Sequence, residues 1–213
     1  MGGNIRGAID YAFPPGFGID EILNALEGSA TGANEPEVRE FAKKTKETIL
    51  SRSPTSVRVA IEQLSRGTKW SIAETFRREH AIAGKFMEHP DFVEGVSSLL
   101  IRKPRTTPQW QPSDLSKVTQ ADVKAFFDAK PDLELLSTED YREYPHAWIG
   151  LPSEKAVEAF VSNKGAVGRA EVVEHFVNMS NGKLGVEEKV EEILSRKTDE
   201  QADGRLSWKR AAA

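Results

Sequence analysis

Ser53-Pro54 opens a stretch in which Val57, Ala60, Ile61 and Leu64 stand at i, i+3, i+4 and i+7, and Gly67 closes it. That spacing gathers four apolar side chains on one helical face, whereas a strand would alternate its faces at every residue. Serine caps the first amides, and proline is tolerated in a first turn, where its missing N–H has no partner. The same grammar recurs along the chain, and strand patterns are nearly absent. The sequence therefore predicts a mostly α chain.

Residues 4–12 read as a helix stopped at "FPPGFG". "IDEILNALEG" places Ile19, Ile22, Leu23 and Leu26 on one face and reaches a natural stop at Gly28. A charged helix follows over 36–51. Ser71 and Glu74 have capping-box spacing before a stripe of Ile72, Phe76, Ala83 and Met87, which Pro90 ends. A further helix is expected over 91–101, then a proline-rich extended connector over 102–118 and a short helix capped by Thr119 and Asp122. After Lys130 the pattern predicts an ordered loop pinned by aromatic residues, then helices over 153–162, 168–179 and 186–196. Residues 198–213 read as a solvated tail.

With 213 residues, 38% of them hydrophobic and 29% charged, the chain is long enough for a substantial core. A net charge of −4 points away from nucleic acid or an anionic membrane as the main partner, and no apolar run is long enough to span a bilayer. No cysteine is present, so disulfides, thiol nucleophiles and cysteine-held metals are excluded. The N-terminal "MGGNIRGAIDYAF" reads as neither a secretory signal nor a good transit peptide.

His89, Asp91 and Glu94 form the one crowded group that suggests acid–base chemistry. Their position favours a helix start instead, with Asp91 at the cap and Glu94 three residues on, at the positive end of the helix dipole. His80 and His89 lie nine residues apart, about 900° of helical turn, so one continuous helix puts them on opposite sides. His146 and His175 are isolated, and no metal-ligand spacing occurs. Ser53 and Ser56 are better read as cap residues than as nucleophiles. Lys183 in "NGKLG" lacks the spacing of a phosphate loop. No catalytic set and no metal site is predicted. The basic group Arg102, Lys103 and Arg105 follows an apolar helix, beside prolines, where it is either a solvated turn or a place to meet a phosphate.

"SPTS" at Ser53–Ser56, "DFVEGV" at Asp91–Val96 and "PQWQP" at Pro108–Pro112 occur in that order. With "AIDYAF" and "IDEILNALE" before them, they make residues 5–127 resemble the C-terminal part of 3-hydroxyisobutyryl-CoA hydrolases, in the enoyl-CoA hydratase/isomerase (crotonase) superfamily. "YPHAWIGLPSEKAVEAFV" resembles an extension of fungal members. The resemblance implies a mitochondrial CoA-thioester hydrolase of valine breakdown, with CoA as part of an acyl-CoA substrate and no separate cofactor. It places the catalytic amides and carboxylates in an N-terminal β/α core that precedes the matched segments. That core is expected to be absent here, and the chain to be inactive alone. Arg102 and Lys103 become candidates for contact with CoA, although the family carries an acid next to that lysine where this chain has Arg102-Lys103-Pro104.

The expected organisation is a hydrolase-like helical part over 1–129, a helical extension over 130–197 and a disordered tail over 198–213. Some family members are components of the mitochondrial small ribosomal subunit. A non-enzymatic interaction module, self-associating or bound to the mitochondrial ribosome, is therefore the competing expectation, with no direct DNA binding and no membrane.

Overall fold

The computed structural model describes residues 3–165 and 167–209. They divide into two compact units, one of Ala8–Tyr144 and one of the chain from Pro145 onward together with the residues up to Gly7. The boundary falls at 144/145 rather than at the expected 129/130, because residues after Lys130 stay bound to the helices before them. Ala73 N–H donates to the Asp140 carbonyl, and the Ser71 hydroxyl donates to the Asp140 carboxylate at 2.5 Å.

The Ala8–Tyr144 unit is helical. Its elements are α1 (Gly3–Ala12, which begins before it), α2 (Ile19–Thr31), α3 (Pro36–Leu50), α4 (Pro54–Gly67), α5 (Ile72–Glu88), α6 (Pro90–Val96) and α7 (Gln120–Phe127). A π-helical turn, Ser97–Ile101, follows α6, and a 3₁₀ turn, Leu115–Lys117, interrupts the connector. α2 runs past Gly28 to Thr31. Ile22, Ala25 and Leu26 pack with Ala12 and Ala42, and a glycine inside a helix costs only about 1 kcal/mol, too little to stop it. A second cluster joins Val59, Ile82, Val118, Val123 and Phe126. Ser53 and Thr119 cap α4 and α7, and Thr119 with Asp122 forms the full reciprocal box. Only half of the box at Ser71 forms, because the Glu74 side chain turns to Arg78.

The stripe expected to face inward on α5 lies largely outward, and that on α4 is divided, with Ile61 packed against the first cluster and Leu64 turned to the surface. Leu64 is 75% exposed, Phe76 58% and Met87 60%, while the buried sides carry Thr55 and Val59 on α4 and Ala73 and Ile82 on α5. Both helices are apolar on more than one side, and periodicity alone marks only the wider stripe. Phe92, Val93 and Leu100 add further exposed apolar surface after α5.

In the second unit, α8 (Glu154–Lys164), α9 (Arg169–Met179) and α10 (Val186–Lys197) enclose a core of Val157, Val161, Val172, Phe176, Val190, Ile193 and Leu194. Gly165 and Gly185 take positive φ where α8 ends and α10 begins, a conformation that favours glycine. The expected solvated tail is instead a β-hairpin. β1 (Thr198–Glu200) pairs antiparallel with β2 (Leu206–Trp208), Thr198 opposite Trp208, and the Leu206 amide also donates to the Val167 carbonyl. Leu206 enters the core, and the Asp203-Gly204 turn lets the chain reverse. Residues 210–213 of that expected tail lie outside the described residues. No helix among the described residues is long and apolar enough to cross a membrane.

Candidate functional site

The crowded stretch at His89 is a clamp. His89, not Asp91, caps α6, its Nδ1 accepting the Asp91 amide at 3.2 Å, and Pro90 occupies the first helical position. Nδ1 also stands 3.9 Å from the Asp91 carboxylate. Asp91 is displaced into the helix, 6% exposed, and turns across the fold. Its carboxylate accepts the Ser53 hydroxyl at 2.5 Å and the Gln111 backbone amide at 2.7 Å. One turn later, Glu94 accepts the Gln109 amide at 2.8 Å and the Ser98 hydroxyl at 2.7 Å.

The spacing fits. Three residues advance a helix by about 4.5 Å, and two residues of extended chain cover about 6.7 Å with both amides on one side. The longer Glu94 side chain helps to span the difference. Trp110, between the clamped amides, lies against Gly95, where a Cβ would stand 3.2 Å from the indole, and its Nε1 donates to the Ser51 carbonyl at 3.1 Å. The Ser98 hydroxyl, then the Gln109 amide and the Arg102 guanidinium, hold the Glu94 carboxyl below the usual carboxylate range, against the opposing effect of desolvation.

Of the basic group, Arg102 turns back onto this clamp. It lies 3.2 Å from Glu94 and 2.9 Å from the Ser98 hydroxyl. Lys103 is exposed beside it. Arg105 lines an open cleft of about 440 Å³ with Leu50, Ser51, Arg52, Leu99, Thr106, Thr107, Pro108 and Trp110. Arg52, which the sequence reading passed over, is the second cation there. It stands just before the capping serine, and only the fold of the connector brings it near Arg105.

The histidines do not gather. His80 lies 3.9 Å from Asp132, and in the other unit His175 stacks on Phe160 with ring centres 4.0 Å apart. No group of three or more potential metal ligands occurs among the described residues. Ser53 accepts the Ser56 amide and donates its hydroxyl to the Asp91 carboxylate, which also holds the Gln111 amide, so the pair fastens the connector to the start of α4. An ionic cluster forms in the second unit. Arg196 meets Glu192 at 2.8 Å and Glu154 at 2.7 Å, which raises its pKa and lowers that of Glu192. Burial pushes Glu154 up, but Arg196 and Lys197 outweigh it and leave its pKa lowered.

The profile of the enoyl-CoA hydratase/isomerase family matches residues 3–127, more than half of the chain and nearly all of the unit that holds the clamp. The chain belongs to the enoyl-CoA hydratase/isomerase family. Its relatives within the family differ in what they are. Small ribosomal subunit protein mS47 of Neurospora crassa is 40% identical over 202 residues, covering 92% of this chain and 39% of that protein. The mitochondrial 3-hydroxyisobutyryl-CoA hydrolase of Danio rerio is 34% identical over 130 residues, covering 60% of this chain and 31% of the enzyme. Among solved structures, a carnitinyl-CoA dehydratase from Mycobacterium thermoresistibile superposes with a TM-score of 0.51 at 29% identity, covering 63% of this chain and 36% of that one. The chain thus spans about two fifths or less of the length of each.

Proposed function

We propose that this chain is a non-enzymatic helical component of the mitochondrial small ribosomal subunit, built on an enoyl-CoA hydratase/isomerase framework. The reach of the ribosomal relative carries this reading. Its similarity takes in 92% of the chain and so runs through the second unit, beyond residue 127 where the family profile ends. The exposed apolar side chains Leu64, Phe76 and Met87 on α4 and α5 fit the role, since such side chains are available for contact with a partner. The test is sedimentation. A tagged copy expressed in its host should travel with small ribosomal subunits when a mitochondrial lysate is resolved on a sucrose gradient. Tagged protein confined to the top of the gradient would overturn the proposal.

The hydrolase reading has its own support in the 34% identity to the zebrafish enzyme. Under it the chain is the C-terminal portion of a 3-hydroxyisobutyryl-CoA hydrolase acting on an acyl-CoA in the mitochondrion, with the catalytic core outside the matched segments and Arg102 and Lys103 near CoA. Arg102 would then have to leave Glu94 or contact CoA with its outer edge. The expected outcome with 3-hydroxyisobutyryl-CoA is no hydrolysis above buffer by the purified chain. Turnover would favour the enzyme.

A further inference from the structure

Arg52 and Arg105 line one cleft, and neither guanidinium has a hydrogen-bond or ion-pair partner among the described residues. Other arginines of this unit are engaged within the protein. Arg58 donates to the Leu115 carbonyl at 2.9 Å, Arg66 meets Glu62 at 2.7 Å and Arg78 meets Glu74 at 2.6 Å. A second open concavity, lined by Arg66, Lys69, Trp70 and Arg78, includes Glu74 in its wall and so carries its own counter-charge. The Arg52–Arg105 cleft has no carboxylate in its lining. Glu94, the acid that holds the connector, is already occupied by Ser98, Gln109 and Arg102.

The remaining wall carries the hydroxyl residues Thr106 and Thr107, Ser51, whose own hydroxyl donates to the Thr48 carbonyl at 2.7 Å, the apolar Leu50, Leu99 and Pro108, and the indole of Trp110. Two unpaired guanidiniums beside hydroxyl donors, with no acid to compete, are the chemistry that recognises phosphate. An aromatic wall beside such cations adds a surface on which a base can stack. The clamp from Asp91 and Glu94 holds the Gln109 and Gln111 amides, so the cleft's Trp110 side is set before any ligand arrives.

We propose that this cleft binds the phosphate backbone of single-stranded RNA, with Arg52 and Arg105 each meeting a phosphate. The choice of RNA rests on the ribosomal reading above. The chain's net charge of −4 disfavours RNA at long range, and the local field of a cleft with two guanidiniums and no acid in its lining acts against that once the ligand is near.

Fluorescence anisotropy of a labelled single-stranded RNA oligonucleotide, read at several salt concentrations, tests the cleft directly. Wild type is compared with Arg52→Ala/Arg105→Ala and with Lys43→Ala/Lys44→Ala, which removes the same charge from the exposed side of α3. The cleft variant should bind at least about tenfold more weakly, and its log–log salt slope should fall by about 1.4, the value for two phosphates on a single strand. Its melting temperature should match wild type, since both side chains are exposed, and Arg52→Lys/Arg105→Lys should keep most of the slope. No RNA binding by wild type, or equal losses in the two alanine pairs, overturns the proposal. So does binding of CoA, but not RNA, that depends on the two arginines. The same variants on the sucrose gradient separate this idea from its parent. Sedimentation with small subunits while the cleft variant still binds RNA normally rejects the cleft and leaves the ribosomal reading standing.

Discussion

Glu94 on α6 and Gln109 on the connector are fifteen residues apart in sequence and joined at 2.8 Å, carboxylate to backbone amide. Asp91 and Gln111 repeat the relationship at 2.7 Å, in antiparallel order. A helix thus holds an extended strand of chain by its main-chain amides, and the two side chains that do so are the pair that most suggested catalysis.

Glu94 makes that hold sensitive to acid. Its folded pKa lies below 4.5, so folding favours the carboxylate, and the contribution is complete above the unfolded pKa. It is lost as pH falls through the folded value. The melting-temperature difference between wild type and Glu94→Gln should be largest near neutrality and shrink as pH drops below about 4. A gap that stays constant down to pH 3 would show that the charge on Glu94 does not matter.

Asp91 should tolerate a change of charge better than a loss of shape. Asp91→Ala leaves the Ser53 hydroxyl and the Gln111 amide without their buried partner and should cost about 2–3 kcal/mol in urea unfolding. Asp91→Asn keeps one acceptor oxygen for the amide and should cost clearly less. Equal losses would mean that the charge, not the hydrogen-bond geometry, holds the connector.

Gly95 is required by contact, not by backbone angle. A methyl group there meets the indole of Trp110 at 3.2–3.3 Å, so Gly95→Ala should shift the ring by a few tenths of an ångström and lose most of the about 1 kcal/mol that alanine otherwise gains in a helix. The check is urea unfolding of the variant beside Gly84→Ala, where no atom lies within 4 Å and a helical alanine should be neutral or stabilising.

Leu206 distinguishes a hairpin from a tail. Leu206→Ala removes a side chain from a closed core and should destabilise the second unit by about 2–3 kcal/mol, readable by hydrogen exchange in α10. A solvated tail would give no change.

Helix positions were largely legible in the sequence because caps and breakers are local. Ser53 and Thr119 each cap where their spacing announces it. Facing was less legible. A stripe such as Ile72, Phe76, Ala83 and Met87 records that a surface is apolar, not what covers it. The hairpin carried a readable signal, Asp203-Gly204, but its strands are three residues each, too short for a period of two to stand out. The clamp was hidden for another reason. Asp91 and Glu94 satisfy a local rule for helix starts, and their real partners lie fifteen to twenty residues away. Arg52 was missed likewise, since nothing near it in the chain predicts Arg105.

Because the connector is fastened at Gln109 and Gln111 and leaves the helix at Ile101, the bases Arg102–Arg105 sit in a span tethered at both ends. Within it the Thr106 amide donates to the Ser98 carbonyl at 3.3 Å and Arg102 meets Glu94, and one residue added between Gln109 and Gln111 would turn an amide away from its carboxylate. Three main-chain amides, of Thr106, Gln109 and Gln111, thus set the path of the connector, and exposed side chains along it can change without moving it.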